Sequence, residues 1–135
     1  MTAVTEHEQR LRQSGLRPTR QRVALSKLLF TGKDHHVTAE GLHSEALAAH
    51  IHVSLATVYN TLHQFTEAGL LRQVVVDGTR TYFDTNTGDH HHFYSEENGD
   101  LTDIEGSAIS VDGVPTPPAG SHVSRIDVVI RLRKA

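Results

Sequence analysis

Residues 89 to 100 read Asp-His-His-His-Phe-Tyr-Ser-Glu-Glu-Asn-Gly-Asp, three adjacent imidazoles followed closely by carboxylates. These are donor types that hold divalent cations. In an extended segment successive side chains alternate faces, so His90 and His92 point one way, about 6.6 Å apart along the strand, and His91 points the other. Two imidazoles so placed can converge on one ion, with further ligands drawn from elsewhere. The sequence offers three: Asp84 at the end of a preceding strand, His36 in a loop before a helix, and Asp103 on the following strand. Nitrogen and oxygen donors without a thiolate suit iron, manganese or zinc. A solvated polar edge is the competing reading of the same histidines.

The elements that must position these groups are written in caps and periodicity. Residues 5–14 read as a short helix ended by Gly15. Thr19 is an N-cap for a helix over 20–30, and Thr38 for one over 39–50, with a loop at 31–36 between them. Ser54 caps a further helix that Gly69 ends. In it Leu55, Val58, Leu62 and Phe65 form the apolar face, while Ala56, Thr57, Tyr59, Asn60, His63 and Gln64 lie opposite. Two strands then flank Asp77-Gly78, a two-residue hairpin signal. Helices followed by a hairpin give the order of a winged helix-turn-helix. The exposed Thr57, Tyr59, Asn60 and Gln64 have the sizes needed to reach base edges or thymine methyls in a major groove.

Past Asp84 the character changes. A short strand through the histidines, a turn at residues 97–100 and a second strand are expected. Residues 105–121 hold three of the four prolines and three glycines, which marks an irregular segment and not a helix. A final strand closes the chain, with Ile126, Val128 and Ile130 on one face and Asp127, Val129 and Arg131 on the other. So small a sheet is not stable alone and reads as half of a shared dimer core.

Bulk composition bounds the function. The chain has 135 residues, 37% of them hydrophobic, enough for one ordinary domain or two very small ones. It has no cysteine, which excludes disulfides and thiolate metal sites. No run approaches the roughly 18 apolar residues of a membrane helix, and the first ten residues lack the apolar core of a signal peptide. A cytoplasmic protein with no membrane partner is the expectation. The net charge of −3 hides an uneven distribution. Between Gln9 and Lys33 there are seven basic residues and no acid, whereas from Asp84 onward nine acids face four bases. A basic front suits phosphate and an acidic back suits cations or another subunit. A metal-dependent hydrolase is disfavoured, because no general base accompanies the cluster and the chain has little room for a substrate pocket. A purely architectural DNA-binding role leaves the histidines idle.

Four motifs in order, "GLRPTRQR", "HHVTAEGL", "VSLATVYNTLHQFTEAGLLR" and "RTYFD" followed by the histidine cluster, resemble the ferric uptake regulator family of metal-dependent repressors over residues 9–105. Within it, "YFDTNTGDHHHFYSEENGDLTDI" and the ending "RIDVVIRLRK" look most like the haem-responsive iron response regulators of alphaproteobacteria. The resemblance implies an α+β fold: a winged-helix DNA-binding domain over 1–84 and a small α/β dimerisation and metal- or haem-sensing domain over 85–135. It implies a homodimer that binds palindromic operator DNA and responds to manganese(II) or ferrous iron, with zinc as a substitute in vitro and haem as effector. By position it assigns His36, Asp84, His90, His92 and Asp103 to the inter-domain regulatory metal site. It assigns Tyr59 and Asn60 to base contacts and Arg17 to the minor groove. The acidic pair Asp84 and Asp103 also resembles the peroxide-sensing branch, which keeps a peroxide-sensing or directly iron-sensing repressor as the alternative.

The departures from the family pattern carry information. Ser95 and Asn98 stand where the first zinc-binding cysteine pair would be, so a four-cysteine structural zinc is not expected. Ile126 replaces the histidine of a second sensing site, of which Asp89 and His91 remain. His122 does not align with that position and reads as a surface residue. A cysteine-proline haem motif cannot exist here, so any haem must be held by imidazole, with His90, His91 and His92 the candidates.

Overall fold

A computed structural model of the chain describes residues 5–78 and 80–135. These form two compact units, one ending at residue 87 and one running from 88 to 135. The first unit starts with helices α1 (Glu6–Gln13) and α2 (Arg20–Leu29) and a two-residue strand β1 (His36–Val37). Helices α3 (Ala39–Ala48) and α4 (Leu55–Glu67) follow, then strands β2 (Arg72–Val75) and β3 (Thr81–Asp84). Each helix begins on a hydroxyl cap: Thr5, Thr19, Thr38 and Ser54 each accept the backbone N–H three residues on. Such caps contribute about 1 kcal/mol each. Gly15 and Gly69 take positive φ just past α1 and α4, as their positions in the sequence suggest. The turn after α3 is made the harder way, with His50 at φ 59 where glycine is the usual residue.

The core of this unit gathers Leu11, Leu25, Leu29, Leu42, Val58, Leu62, Phe65 and Phe83 at 0 or 1% exposure. Leu55 departs from its expected place in the buried face of α4 and is 41% exposed. It is the first residue of the helix, one turn short of the packed region. The sheet order is β1-β3-β2, all antiparallel. Residues 31–36 were expected to be loop throughout, but His36 and Val37 pair with Asp84 and Phe83. The β2–β3 hairpin is present with a longer connection than a two-residue turn. Val76 N–H donates to Arg80 O, and the Asp77 carboxylate accepts Arg80 N–H at 2.9 Å, which closes the connection between the two strands.

The second unit consists of β4 (His90–Ser95), β5 (Leu101–Glu105), one 3-10 turn (Gly106–Ala108) and β6 (Val129–Leu132). The sheet order is β5-β4-β6, with β5 antiparallel and β6 parallel to the central strand. Gly99, at φ 76, allows the tight turn that pairs Ser95 with Asp100. The final strand is shorter than expected and starts at Val129, so Ile126 lies outside it. Its side chains are half-buried or exposed, including Ile130 and Leu132. No helix among the described residues is long and apolar enough to cross a membrane.

Candidate functional site

In the first unit the register places His36 and Asp84 directly across neighbouring strands. His36 Nε2 lies 3.1 Å from Asp84 Oδ2, and the Asp84 side chain is fully buried. The other carboxylate oxygen accepts the Asn86 N–H at 2.9 Å. On its opposite side Asp84 is in register with Arg72, which is itself only 4% exposed. A cationic residue beside a buried carboxylate offsets part of the cost of keeping that charge out of water. Sequence reading missed Arg72. An arginine inside a mostly apolar strand segment, "LLRQVVV", was the available signal.

In the second unit β4 alternates: His90, His92 and Tyr94 are buried, while His91, Phe93 and Ser95 face the other way and are more open. His92 pairs in register with Asp103 on β5, so the three groups His90, His92 and Asp103 share one face. Asp103 Oδ1 is 3.6 Å from His90 Nε2 and 3.3 Å from His92 Nε2, and the two imidazole rings are 4.6 Å apart. His90 Nδ1 lies 2.6 Å from the Gly88 carbonyl, a group that can only accept. The ring proton therefore sits on Nδ1, and in the neutral ring Nε2 offers a lone pair toward a carboxylate oxygen. Two facing acceptors repel unless a proton or a cation lies between them. This donor set of imidazole nitrogen and carboxylate oxygen, without sulfur, fits manganese, iron or zinc.

His91 does something else. Its Nδ1 accepts the Val128 N–H at 3.1 Å, while Val128 O accepts the His92 N–H at 3.1 Å. The ring fastens the approach to β6 against β4. Val128 lies 37 residues away, and nothing local in the sequence announces that pairing.

The exposed face of α4 divides in two. Arg17, Arg22, Thr57, Asn60 and Gln64 line one shallow depression between the start of α2 and α4. Tyr59 is not among them. It stands half-exposed on the other flank, edge-on to His63 at 4.5 Å, and His63 in turn packs edge-on to Phe83 in β3 at 5.4 Å. Of the basic front, Arg12, Arg17, Arg20, Lys27 and Lys33 are exposed. Arg10 instead sits 4.4 Å over the Phe30 ring, and Arg22 is spent on internal hydrogen bonds.

A model of the ferric uptake regulator family matches residues 13–114. The ferric uptake regulation protein of Legionella pneumophila is 35% identical over 86 residues, which cover 64% of this chain and 63% of that protein. The peroxide-responsive repressor PerR of Staphylococcus aureus is 32% identical over 95 residues, covering 70% of this chain and 64% of the repressor. The chain thus spans less than two thirds of the length of these curated relatives. Among solved structures, the ferric uptake regulator of Pseudomonas aeruginosa with manganese superposes at a TM-score of 0.74 and 27% identity, covering 96% of this chain and 98% of that one.

Proposed function

The chain belongs to the ferric uptake regulator family, and from that premise we propose that it is a metal-dependent transcriptional regulator, not an enzyme, that binds palindromic operator DNA as a homodimer. The observation that carries the reading is the set of His Nε2 atoms turned onto carboxylates. His36 meets Asp84, and His90 and His92 meet Asp103, in pairs whose geometry a shared cation satisfies. We take these five residues as one ligand set for manganese(II) or ferrous iron, with zinc as a substitute in vitro. His36 and Asp84 belong to the unit that carries α4, and His90, His92 and Asp103 to the unit that carries the β5-β4-β6 sheet. A shared ion would join the two. Operator affinity in a dimer depends on the spacing of its recognition helices, so occupancy and DNA affinity are linked.

Support for the DNA-binding half comes from α4, whose outer face carries Thr57, Tyr59, Asn60 and Gln64, beside Arg17 and a belt of exposed bases. Support for a dimer comes from the half-exposed apolar side chains Phe93, Ile130 and Leu132 on one side of a three-stranded sheet.

The finer assignment is to the haem-responsive iron regulators, with haem acting through the same histidines and releasing DNA. It rests on the triple histidine and on the resemblance of residues 82–104 and 125–134 to that branch; without cysteine, any haem would be held by imidazole. His90 and His92 share a face, so they do not sit above and below one haem. A peroxide-sensing or directly iron-sensing repressor is the second reading, favoured by the two aspartates Asp84 and Asp103 and by the likeness to a peroxide-responsive repressor.

The test is operator binding by fluorescence anisotropy. Metal-free protein is titrated with manganese and then with haem, beside His90→Ala and His92→Ala. Manganese should raise affinity for a palindromic operator over random DNA, and both variants should lose that gain. Release by haem selects the haem-responsive reading, and indifference to haem selects an iron or peroxide regulator. Equal binding with and without manganese removes the metal-dependent reading.

A further inference from the structure

Arg22, on the inner side of α2, reaches two partners with one guanidinium. Its Nη1 donates to the Arg17 carbonyl at 2.9 Å and its Nη2 donates to Gln64 Oε1 at 3.1 Å. An arginine has five N–H donors and no acceptor, so only the oxygen end of the Gln64 amide can face it. Two anchored nitrogens fix the plane of the fork. The Gln64 amino group is then the outward end, on an exposed side chain in the last turn of α4. Asn60, one turn earlier on the same face, makes no side-chain hydrogen bond among the described residues and is free to present either edge.

We infer that Arg22 is a specificity-determining residue: by holding the oxygen of Gln64 it makes that side chain a donor-only reader of bases. The inference rests on α4 being the helix that enters the major groove. An unrestrained glutamine pairs with adenine through both ends, its oxygen accepting from N6 and its amino group donating to N7. Held by Arg22, Gln64 lacks the accepting end. Keto bases remain suited to it, since guanine presents N7 and O6, and thymine presents O4, all acceptors. Amino bases are less suited: adenine N7 still accepts but its N6 brings a donor toward a donor, and cytosine N4 offers only a donor. Arg22 thus acts on DNA through Gln64, without touching a base.

The experiment is selection from a random duplex library with the full-length protein in manganese(II), for wild type, Arg22→Ala and Gln64→Glu. The wild type should enrich a palindromic motif in which one position per half-site favours a keto base over an amino base by about tenfold. Arg22→Ala should keep the rest of the motif and lose the preference at that position, with adenine rising most. Gln64→Glu keeps an acceptor for Arg22 but presents only oxygen, so the same position should turn to an amino base. If both variants enrich the wild-type motif with unchanged weights, or if Arg22→Ala weakens every position equally, the inference is overturned. Should Arg22→Ala fail to fold, the outcome with Gln64→Glu decides by itself. A wild-type protein that enriches no sequence overturns the DNA-binding reading as well, an outcome distinct from unchanged weights in the variants.

Discussion

His91 Nδ1 and the backbone N–H of Val128 lie 3.1 Å apart, and the nitrogen must be the acceptor. In the neutral ring the proton is therefore on Nε2, which leaves His91 without an outward lone pair while the clasp holds. His91→Ala should lower the stability of the sheet unit by about 1 kcal/mol and leave manganese affinity within a few-fold of wild type. If haem binds through the histidine run, His91→Ala should also keep the absorption band of ligated haem. Loss of that band in His91→Ala alone, followed spectroscopically beside His90→Ala and His92→Ala, would contradict this assignment.

Asp84 and Asp103 stand as equal candidates for a cation, but the chain leans on them unequally. The Asp84 side chain is fully buried between His36 and the register partner Arg72, whereas that of Asp103 is 30% exposed. Asp84→Ala removes a buried carboxylate that lies in register with a buried arginine and should cost about 3 kcal/mol in metal-free protein. Asp103→Ala should cost well under 1 kcal/mol while still abolishing tight manganese binding. Urea unfolding of both variants without metal, set beside manganese titrations, separates the two effects. Equal destabilisation would sink the distinction.

Gly106 follows β5 and passes so close to Asp89 that an added Cβ would lie 2.7 Å from the Asp89 carbonyl oxygen. Backbone cannot yield as a flexible side chain does. Gly106→Ala should cost about 1–3 kcal/mol in the second unit and weaken manganese binding, since Asp89 immediately precedes His90. Calorimetry with a parallel metal titration checks both. Unaltered metal affinity would show that this contact does not position the imidazoles.

The side of the sheet away from His90 and His92 presents Phe93 beside its register partner Ile130, both more than one third exposed. A charge placed there should not harm the monomer and should block self-association. Ile130→Glu is expected to shift sedimentation from dimer to monomer and to lower operator affinity at least tenfold, because half-sites are then engaged singly. A dimer that persists in Ile130→Glu places the subunit contact elsewhere.

The sequence revealed what was local. Thr19, Thr38 and Ser54 announce helix starts because a hydroxyl cap and the amide it satisfies lie three residues apart, and the core face of α4 is periodic at Val58, Leu62 and Phe65. The alternation of His90 and His92 is equally local, a property of any strand. The pairing of His36 with Asp84 was hidden, since a two-residue strand has no period. Arg22 with Gln64 and His91 with Val128 were also hidden, because their partners are 42 and 37 residues apart. Leu55 misled because it satisfies the helical period at a position where the core has already ended.

Strand β4 prints two different messages on its two sides, imidazoles on one and the apolar Phe93 on the other. That makes its parity a heritable constraint. One residue inserted between His91 and His92 would send every later side chain to the opposite side, putting His92 against the apolar surface and Phe93 among the carboxylates. Such an insertion costs nothing in composition, yet it would break up the imidazole face and the apolar face together. The irregular, exposed residues 110–116 bear no such parity. Natural length variation is expected to collect there and to spare residues 90–95.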